Sequence, residues 1–157
     1  MVNIVVVDID GTVADGTERV NKYLLKKPKD WDSYFNECYT DKPIAEMIRL
    51  VEALSDHYGI VFCTGRRRST DAATRQWFRD HMKTLRGYNH SIMGMPILYR
   101  NDGDERHDTE VKPELLNEYL HQHPDYRVAF ILEDRNSMVQ KWRELGFRCL
   151  QVADGDF

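Results

Sequence analysis

The chain has 157 residues, 41% of them apolar and 31% charged, which suits one compact domain able to bury a core. Acidic residues (26) outnumber basic ones (22), and the net charge of −4 argues against a histone-like polybasic binder. No apolar run exceeds five residues (128–132), far short of the ~20 residues of a membrane span, and no signal peptide surrounds the first run at 4–7.

Ile4-Val5-Val6-Val7 is a β-branched run ending in Asp8-Ile9-Asp10-Gly11-Thr12, which reads as a strand buried on both faces of a parallel sheet. Residues 14–42 follow, rich in Lys, Asp, Tyr and Trp and too long for an ordinary loop. We read them as a small helical, cap-like insert over the mouth of the sheet. Trp31, Tyr34 and Phe35 are expected to form its packing core, with a base-stacking platform as the alternative. Pro43 opens a helix with Ile44, Met47, Ile48, Val51 and Leu54 on one face. The run 60–63 is the next strand and ends at Thr64-Gly65-Arg66. A helix is expected over 70–85, with Arg75, Arg79, Lys83 and Arg86 in one stripe. A solvated face is the simpler reading of that stripe. Nucleic-acid contact through Arg67, Arg68, Arg75 and Arg79 is the alternative.

A weaker strand over 96–99 precedes a polar loop at 100–110. Pro113 then starts a helix with Leu115, Leu116, Tyr119 and Leu120, placing Lys112 at its mouth. His121 and His123 have the wrong spacing for paired metal ligands on one helix face and are expected at the surface. The run 128–132 ends at Glu133-Asp134, and a helix with Met138, Val139, Trp142 and Leu145 closes at Gly146. Residues 148–152 form the last strand. This alternation predicts a single α/β domain over 1–157. The fold expected is a three-layer α/β/α Rossmann-like one with a mostly parallel five-stranded sheet and helices on both faces. Cys38, Cys63 and Cys149 show no CxxC spacing, so a reduced, cytoplasmic compartment is the simplest setting.

Ligands of open α/β sheets bind beyond the carboxyl ends of the strands. Those ends carry Asp8 and Asp10, Thr64 and Arg66, and Glu133 and Asp134, with Lys112 nearby. Four acids in one crevice repel by about 4 kcal/mol per pair at ~4 Å. They are tolerable only with a bound cation or substantial protonation, and hard oxygen donors suit Mg²⁺. Of the pair Asp8 and Asp10, one carboxylate can attack phosphorus while the other handles the leaving group's proton; a plain Asp-Gly surface turn is the alternative. Thr64-Gly65-Arg66 offers a hydroxyl, backbone N–H groups and a guanidinium to an anion. Glu133-Asp134 invites a cation, caps the following helix, or does both.

In order and placement, these four motifs resemble those of the haloacid dehalogenase (HAD) phosphatase superfamily. More narrowly, the chain looks like the 3′-phosphatase domain of bacteriophage polynucleotide kinase-phosphatase. That likeness rests mainly on the stretch from Glu133 through Trp142 and Gly146 to Gln151-Val152-Ala153-Asp154-Gly155-Asp156-Phe157. No GxxxxGK[ST] phosphate loop occurs, so a stand-alone phosphatase without the kinase half is expected.

The resemblance implies that Asp8 is the nucleophile. It makes Asp10 the acid that protonates the leaving alcohol, with its backbone carbonyl on Mg²⁺. Thr64, Gly65, Arg66 and Lys112 bind the phosphate, and Asp8, Asp10 and Asp134 hold the metal. Close relatives usually have two aspartates in the last motif. Glu133 departs from that pattern, and its extra methylene favours orienting the metal's waters over ligating it. The implied substrate is a phosphorylated nucleic-acid end. Phosphatase action on free 5′- or 3′-nucleotides is the alternative, and a receiver-like phosphate-binding module a distant one. A separate kinase or ligase partner stays open.

Overall fold

The computed structural model describes residues 1–85 and 94–157. In chain order the elements are β1 (Val2–Val7), β2 (Ala14–Asp15), α1 (Thr17–Arg19), a π-helical turn (Val20–Leu24), α2 (Trp31–Asn36), a 3-10 turn (Cys38–Thr40) and β3 (Lys42–Pro43). After these come α3 (Ala45–Leu54), β4 (Gly59–Arg67), a 3-10 turn (Arg68–Thr70), α4 (Asp71–His81), β5 (Ile97–Arg100), α5 (Asp108–Gln122), β6 (Tyr126–Glu133), α6 (Asn136–Glu144) and β7 (Cys149–Gln151). A five-stranded sheet runs in the order β5-β4-β1-β6-β7 with every neighbouring pair parallel.

Alternate residues along the buried strands feed two separate cores, as the pleat requires. Val5, Val7, Ile60 and Phe62 pack with Ile48 and Val51 of α3 and Trp77 and Phe78 of α4. Ile4, Val6, Val61 and Cys63 pack on the opposite face with Leu116 of α5 and Met138, Val139 and Trp142 of α6. This is the three-layer α/β arrangement, with helices on both faces of a parallel sheet, that the alternation of runs predicts. The chain builds outward from β1 through β4 to β5, then returns to lay β6 along the other side of β1. The switch point lies between β1 and β6, the place where ligands of open α/β sheets bind.

Residues 14–43 leave the sheet between β1 and α3, and the antiparallel pair β2–β3 closes the base of the excursion (Ala14 opposite Pro43, Asp15 opposite Lys42). Pro43 therefore lies in a strand rather than opening a helix, and α3 begins at Ala45.

Pro113 does not start its helix either. The His107 ring accepts the Thr109 N–H at 3.2 Å as a cap, and α5 runs from Asp108 with Pro113 inside it. Asp108 and Glu110 in its first turn suit the positive end of the helix. Lys112 is thus a helical residue in the second turn, not one at the helix mouth.

Helix α4 stops at His81, because Met82 turns off the helix (φ −121, ψ 79) and buries its side chain in the core beside Trp77 and Phe78. Lys83 lies past that end, so the basic stripe does not continue along a helix, and Arg86 falls outside the described residues. Gly146 follows α6 at φ +89, the left-handed conformation expected of a helix stop, whereas Leu145 is exposed instead of joining the core. His121 is at the surface, but His123 is half-buried and stacks on Tyr126 at 4.8 Å. The three cysteines are free and buried. No helix among the described residues is long and apolar enough to cross a membrane.

Candidate active site

Asp8 leaves the end of β1 with its N–H donated to the Leu132 carbonyl of β6 at 3.0 Å. The chain then turns tightly: the N–H groups of Thr12, Val13 and Ala14 all reach the Ile9 carbonyl within 3.2 Å. Gly11 makes the turn possible in two ways. It adopts φ +86, and a Cβ there would sit 2.1 Å from Asp134 Oδ2. The turn is what lets β1 and the end of β6 share one pocket.

In that pocket Asp8, Glu133 and Asp134 are all buried and offer carboxylate oxygens within 4.8 Å of one another. Lys112 reaches in from α5, donating to Asp8 Oδ1 at 2.6 Å and Glu133 Oε2 at 2.9 Å. The Thr12 hydroxyl stands 3.3 Å from both Asp8 Oδ2 and Asp134 Oδ1. Glu133 is further occupied: its Oε1 accepts the N–H groups of Asp134 (3.2 Å) and Arg135 (3.5 Å) ahead of α6.

Burial, then the charge of Glu133, push the Asp8 carboxyl up to about 8 against the pull of Lys112. Burial, then Asp8, push Asp134 up to about 7. Burial opposes the charge on Lys112, but Asp8 and Glu133 more than offset it and keep the ammonium protonated. Three carboxylates against one ammonium leave the pocket short of positive charge, and every donor is a hard oxygen. Those residues fit a divalent cation.

Asp10 does not join this cluster, so the four acids do not share one crevice. Its carboxylate turns toward Arg66, which holds it bidentately at 2.7 and 3.0 Å, and toward Arg19 Nη2 at 2.9 Å. Both guanidinium groups also meet Asp41, at 2.6 Å from Arg19 and 3.2 Å from Arg66. Thr74 of α4 accepts from Arg66 Nη1 at 3.1 Å. Burial opposes ionisation of Asp10, yet Arg66 and then Arg19 outweigh it and hold the carboxyl down at about 2. The Asp10 side chain is 29% exposed while that of Arg66 is 1% exposed, so Asp10 is where this network meets solvent.

Thr64 is buried, and its hydroxyl accepts the Arg66 N–H at 3.1 Å. Gly65 lets α5 close on β4, since a Cβ there would lie 2.6 Å from Asp108 Oδ1. Arg100 and Arg135 hold Asp108 in place. Of the arginines considered for nucleic-acid contact, Arg67 pairs with Asp32 of the insert at 2.9 Å, and Arg68 is exposed in the following turn. Arg75 is engaged by Asp71 (2.9 Å) and the Met95 carbonyl (3.0 Å), and Arg79 donates to Gln76 at 2.9 Å.

Sequence reasoning missed Arg19 and Asp41 altogether, and gave Thr12 no part beyond its place in the motif. An arginine among lysines and an aspartate near a turn look solvated in sequence. Only the folded insert buries them against Asp10.

The family model described as the polynucleotide kinase PNKP phosphatase domain matches residues 2–157. Among solved structures, a chain from "Structure of the Pnkp1/Rnl/Hen1 RNA repair complex" superposes with a TM-score of 0.77 at 24% identity, over 100% of this chain and 44% of that one. A second, from "Structure of Pnkp1/Rnl/Hen1 complex", gives 0.74 at 25% identity over 99% and 47%. This chain therefore spans less than half the length of either. A haloacid dehalogenase-like hydrolase, SP0104 from Streptococcus pneumoniae, gives 0.63 at 15% identity over 96% of this chain and 84% of that one, a likeness of fold. By fold and by a match that runs nearly end to end, the chain belongs to the family of polynucleotide kinase PNKP phosphatase domains.

Proposed function

We propose that this chain is a Mg²⁺-dependent phosphomonoesterase that removes the 3′-phosphate from polynucleotide ends through a phospho-Asp8 intermediate. The single domain spans 1–157, and its insert at 14–42 serves as a small cap. The observation that carries the reading is the division of the site. One half holds Asp8 with Lys112, Glu133 and Asp134, and the other holds Asp10 between two arginines.

Asp8, Asp134 and the Asp10 backbone carbonyl would hold the cation, with Glu133 behind them tied to Lys112 and two backbone N–H groups. The cation supplies positive charge that lets the crowded carboxylates ionise together and offsets the phosphate's own charge. An Asp8 carboxylate oxygen attacks phosphorus, and the P–O bond to the 3′-carbon's oxygen breaks. Lys112, Thr64, the Gly65 backbone and Arg66 stabilise the charge on the transferring group. The leaving oxygen takes a proton from Asp10. Water then attacks the phospho-Asp8, Asp10 takes that water's proton, and the P–O bond to Asp8 breaks to release phosphate.

Asp10 must carry a proton in the first step, although Arg66 and Arg19 hold it ionised in the resting site. A phosphate dianion bound by Arg66 would compete with Asp10 for that guanidinium, and loosening the pair would raise the Asp10 pKa when a proton is needed.

The product is a 3′-hydroxyl, the group that a ligase joins to a 5′-phosphate. An end-joining ligase and a 5′-kinase are the partners this chemistry serves, and a relative solved within an RNA repair complex supports that setting. The test is a substrate panel under Mg²⁺: 3′- and 5′-phosphorylated DNA and RNA oligonucleotides, free 3′- and 5′-nucleotides, and an aryl phosphate. We expect kcat/KM on 3′-phosphorylated oligonucleotides to exceed that on free nucleotides by tenfold or more, and to fall steeply with salt. Preference for free nucleotides with a flat salt response overturns the polynucleotide reading.

A further inference from the structure

We infer that the outer face of the insert helix α2 is a stacking subsite for a nucleobase near the 3′ end of a polynucleotide, with the neighbouring lysines taking the strand's phosphodiesters. This rests on the 3′-phosphatase reading and names the part of the chain that recognises a polymer.

Trp31, Tyr34 and Phe35 stand three and four residues apart and meet as one cluster, with ring centroids 5.8, 6.0 and 5.3 Å from one another. They pack on one another as the insert's core is expected to, with Tyr34 and Phe35 half-buried, but Trp31 is 44% exposed and leaves the outer side of the cluster open. Cations frame the cluster. Lys29 Nζ lies 5.6 Å above the Trp31 ring, and Arg67 Cζ lies 4.7 Å above Phe35. Residues 19–29 hold Arg19, Lys22, Lys26, Lys27 and Lys29 and no acid, on a chain whose net charge is −4. Lys26, Lys27 and Lys29 are exposed.

The cluster is joined to the reacting groups. The Tyr34 carbonyl accepts Arg19 Nη1 at 2.6 Å, its ring lies 4.4 Å from Arg19 Cζ, and Arg19 grips Asp10. Arg67 follows Arg66 along β4. A strand whose terminal phosphate reaches Asp8 thus passes the open Trp31 ring beside the exposed Lys26, Lys27 and Lys29. Of the two acids next to that ring, Asp32 is taken up by Arg67 and Asp30 by the Ser33 N–H. Every base has a π-face, and each phosphodiester near a lysine gains an ion pair. A protein-docking face is a poorer match, because its centre is dry and depleted of charge, and here cations sit on the rings.

The experiment measures kcat/KM for the wild type, Trp31→Ala and Trp31→Phe on three substrates. These are a 3′-phosphorylated oligothymidylate, the same strand with abasic residues at its 3′ end, and an aryl phosphate. Trp31→Ala should lower the oligonucleotide-to-aryl ratio by about ten- to a hundredfold, chiefly through KM. Trp31→Phe should keep most of the wild-type ratio, and the loss should vanish on the abasic strand. An unchanged ratio overturns the subsite, as does an equal loss on the abasic strand. So does unchanged kinetics joined to lost self-association in sedimentation, which marks a protein-docking face. A wild type that hydrolyses the aryl phosphate but not the 3′-phosphorylated strand overturns the 3′-phosphatase reading and the subsite together. A wild type that prefers the strand but ignores Trp31 overturns the subsite alone.

Discussion

Asp8 and Asp10 are two residues apart yet live in opposite electrostatic settings, and that contrast assigns them different work. Asp8 faces an ammonium and two carboxylates, whereas Asp10 faces two guanidinium groups. Asp8→Asn keeps the shape of the side chain and its place beside Lys112 but removes the proposed nucleophile. We expect a folded protein, with an unchanged circular dichroism spectrum, that has no turnover on any phosphomonoester. Steady-state activity retained in that variant refutes the nucleophile assignment. Asp10→Asn removes the proposed proton donor, and its cost depends on how much the leaving oxygen needs one. The loss should be roughly a hundred- to ten-thousandfold on a 3′-phosphorylated oligonucleotide, whose leaving alcohol is strongly basic. It should be much smaller on an activated aryl phosphate, whose phenolate leaves unaided. Equal losses on the two substrates argue that Asp10 only binds. Both aspartates are legible in the sequence because a β-branched run stopping at an acid is a local pattern. The opposed pKa directions are not legible, since they arise from Arg19, Arg66 and Lys112, which the chain brings in from 9 to 104 residues away.

At the scale of elements, the sheet could be read from its runs and the site from the strand ends, because a buried parallel strand must be apolar throughout and must end where polar groups resume. Boundaries set by tertiary contact could not. The prolines at 43 and 113 signal helix starts on local rules, but Pro43 is taken by the β2–β3 pair, and α5 extends past Pro113 to reach its His107 cap. The insert was legible as an excursion, and its attachment was not. Asp41, at its far end, is buried and ties Arg19 and Arg66 together, while its carbonyl accepts the Trp77 indole N–H at 2.8 Å. Removing its carboxylate leaves two buried guanidinium groups sharing Asp10 alone, an uncompensated charge that costs about 3–5 kcal/mol. Asp41→Ala should therefore lower Tm by roughly 6–20 °C, and proteolysis should speed up first within residues 14–42. A Tm within a degree or two of the wild type means that Asp10 alone satisfies both arginines.

For the whole molecule, the crowded carboxylates make stability a function of pH and of cation together. Burial and the neighbouring carboxylates lift the Asp8 carboxyl from the ordinary 3.8 to about 8 and that of Asp134 to about 7 in the fold. Between those limits the folded chain holds more protons than the unfolded one, so stability present at low pH is lost as pH rises through the folded values. Asp10 has the opposite sign, but its depressed value of about 2 places its effect below pH 4, outside this window. A divalent cation needs the same carboxylates ionised, so protons and cation compete for one pocket. In EDTA, Tm should fall between pH 5.5 and 8. Added Mg²⁺ should raise it little at pH 5.5 and most at pH 8. At a hundredfold excess over Kd, the stabilisation is about 2.7 kcal/mol, or roughly 5–10 °C for a chain of this size. Thermal scans at four pH values, with and without Mg²⁺, measure both slopes. A Tm that ignores Mg²⁺ at every pH, with activity surviving EDTA, means that Lys112 alone balances the three acids and that the pocket takes no cation.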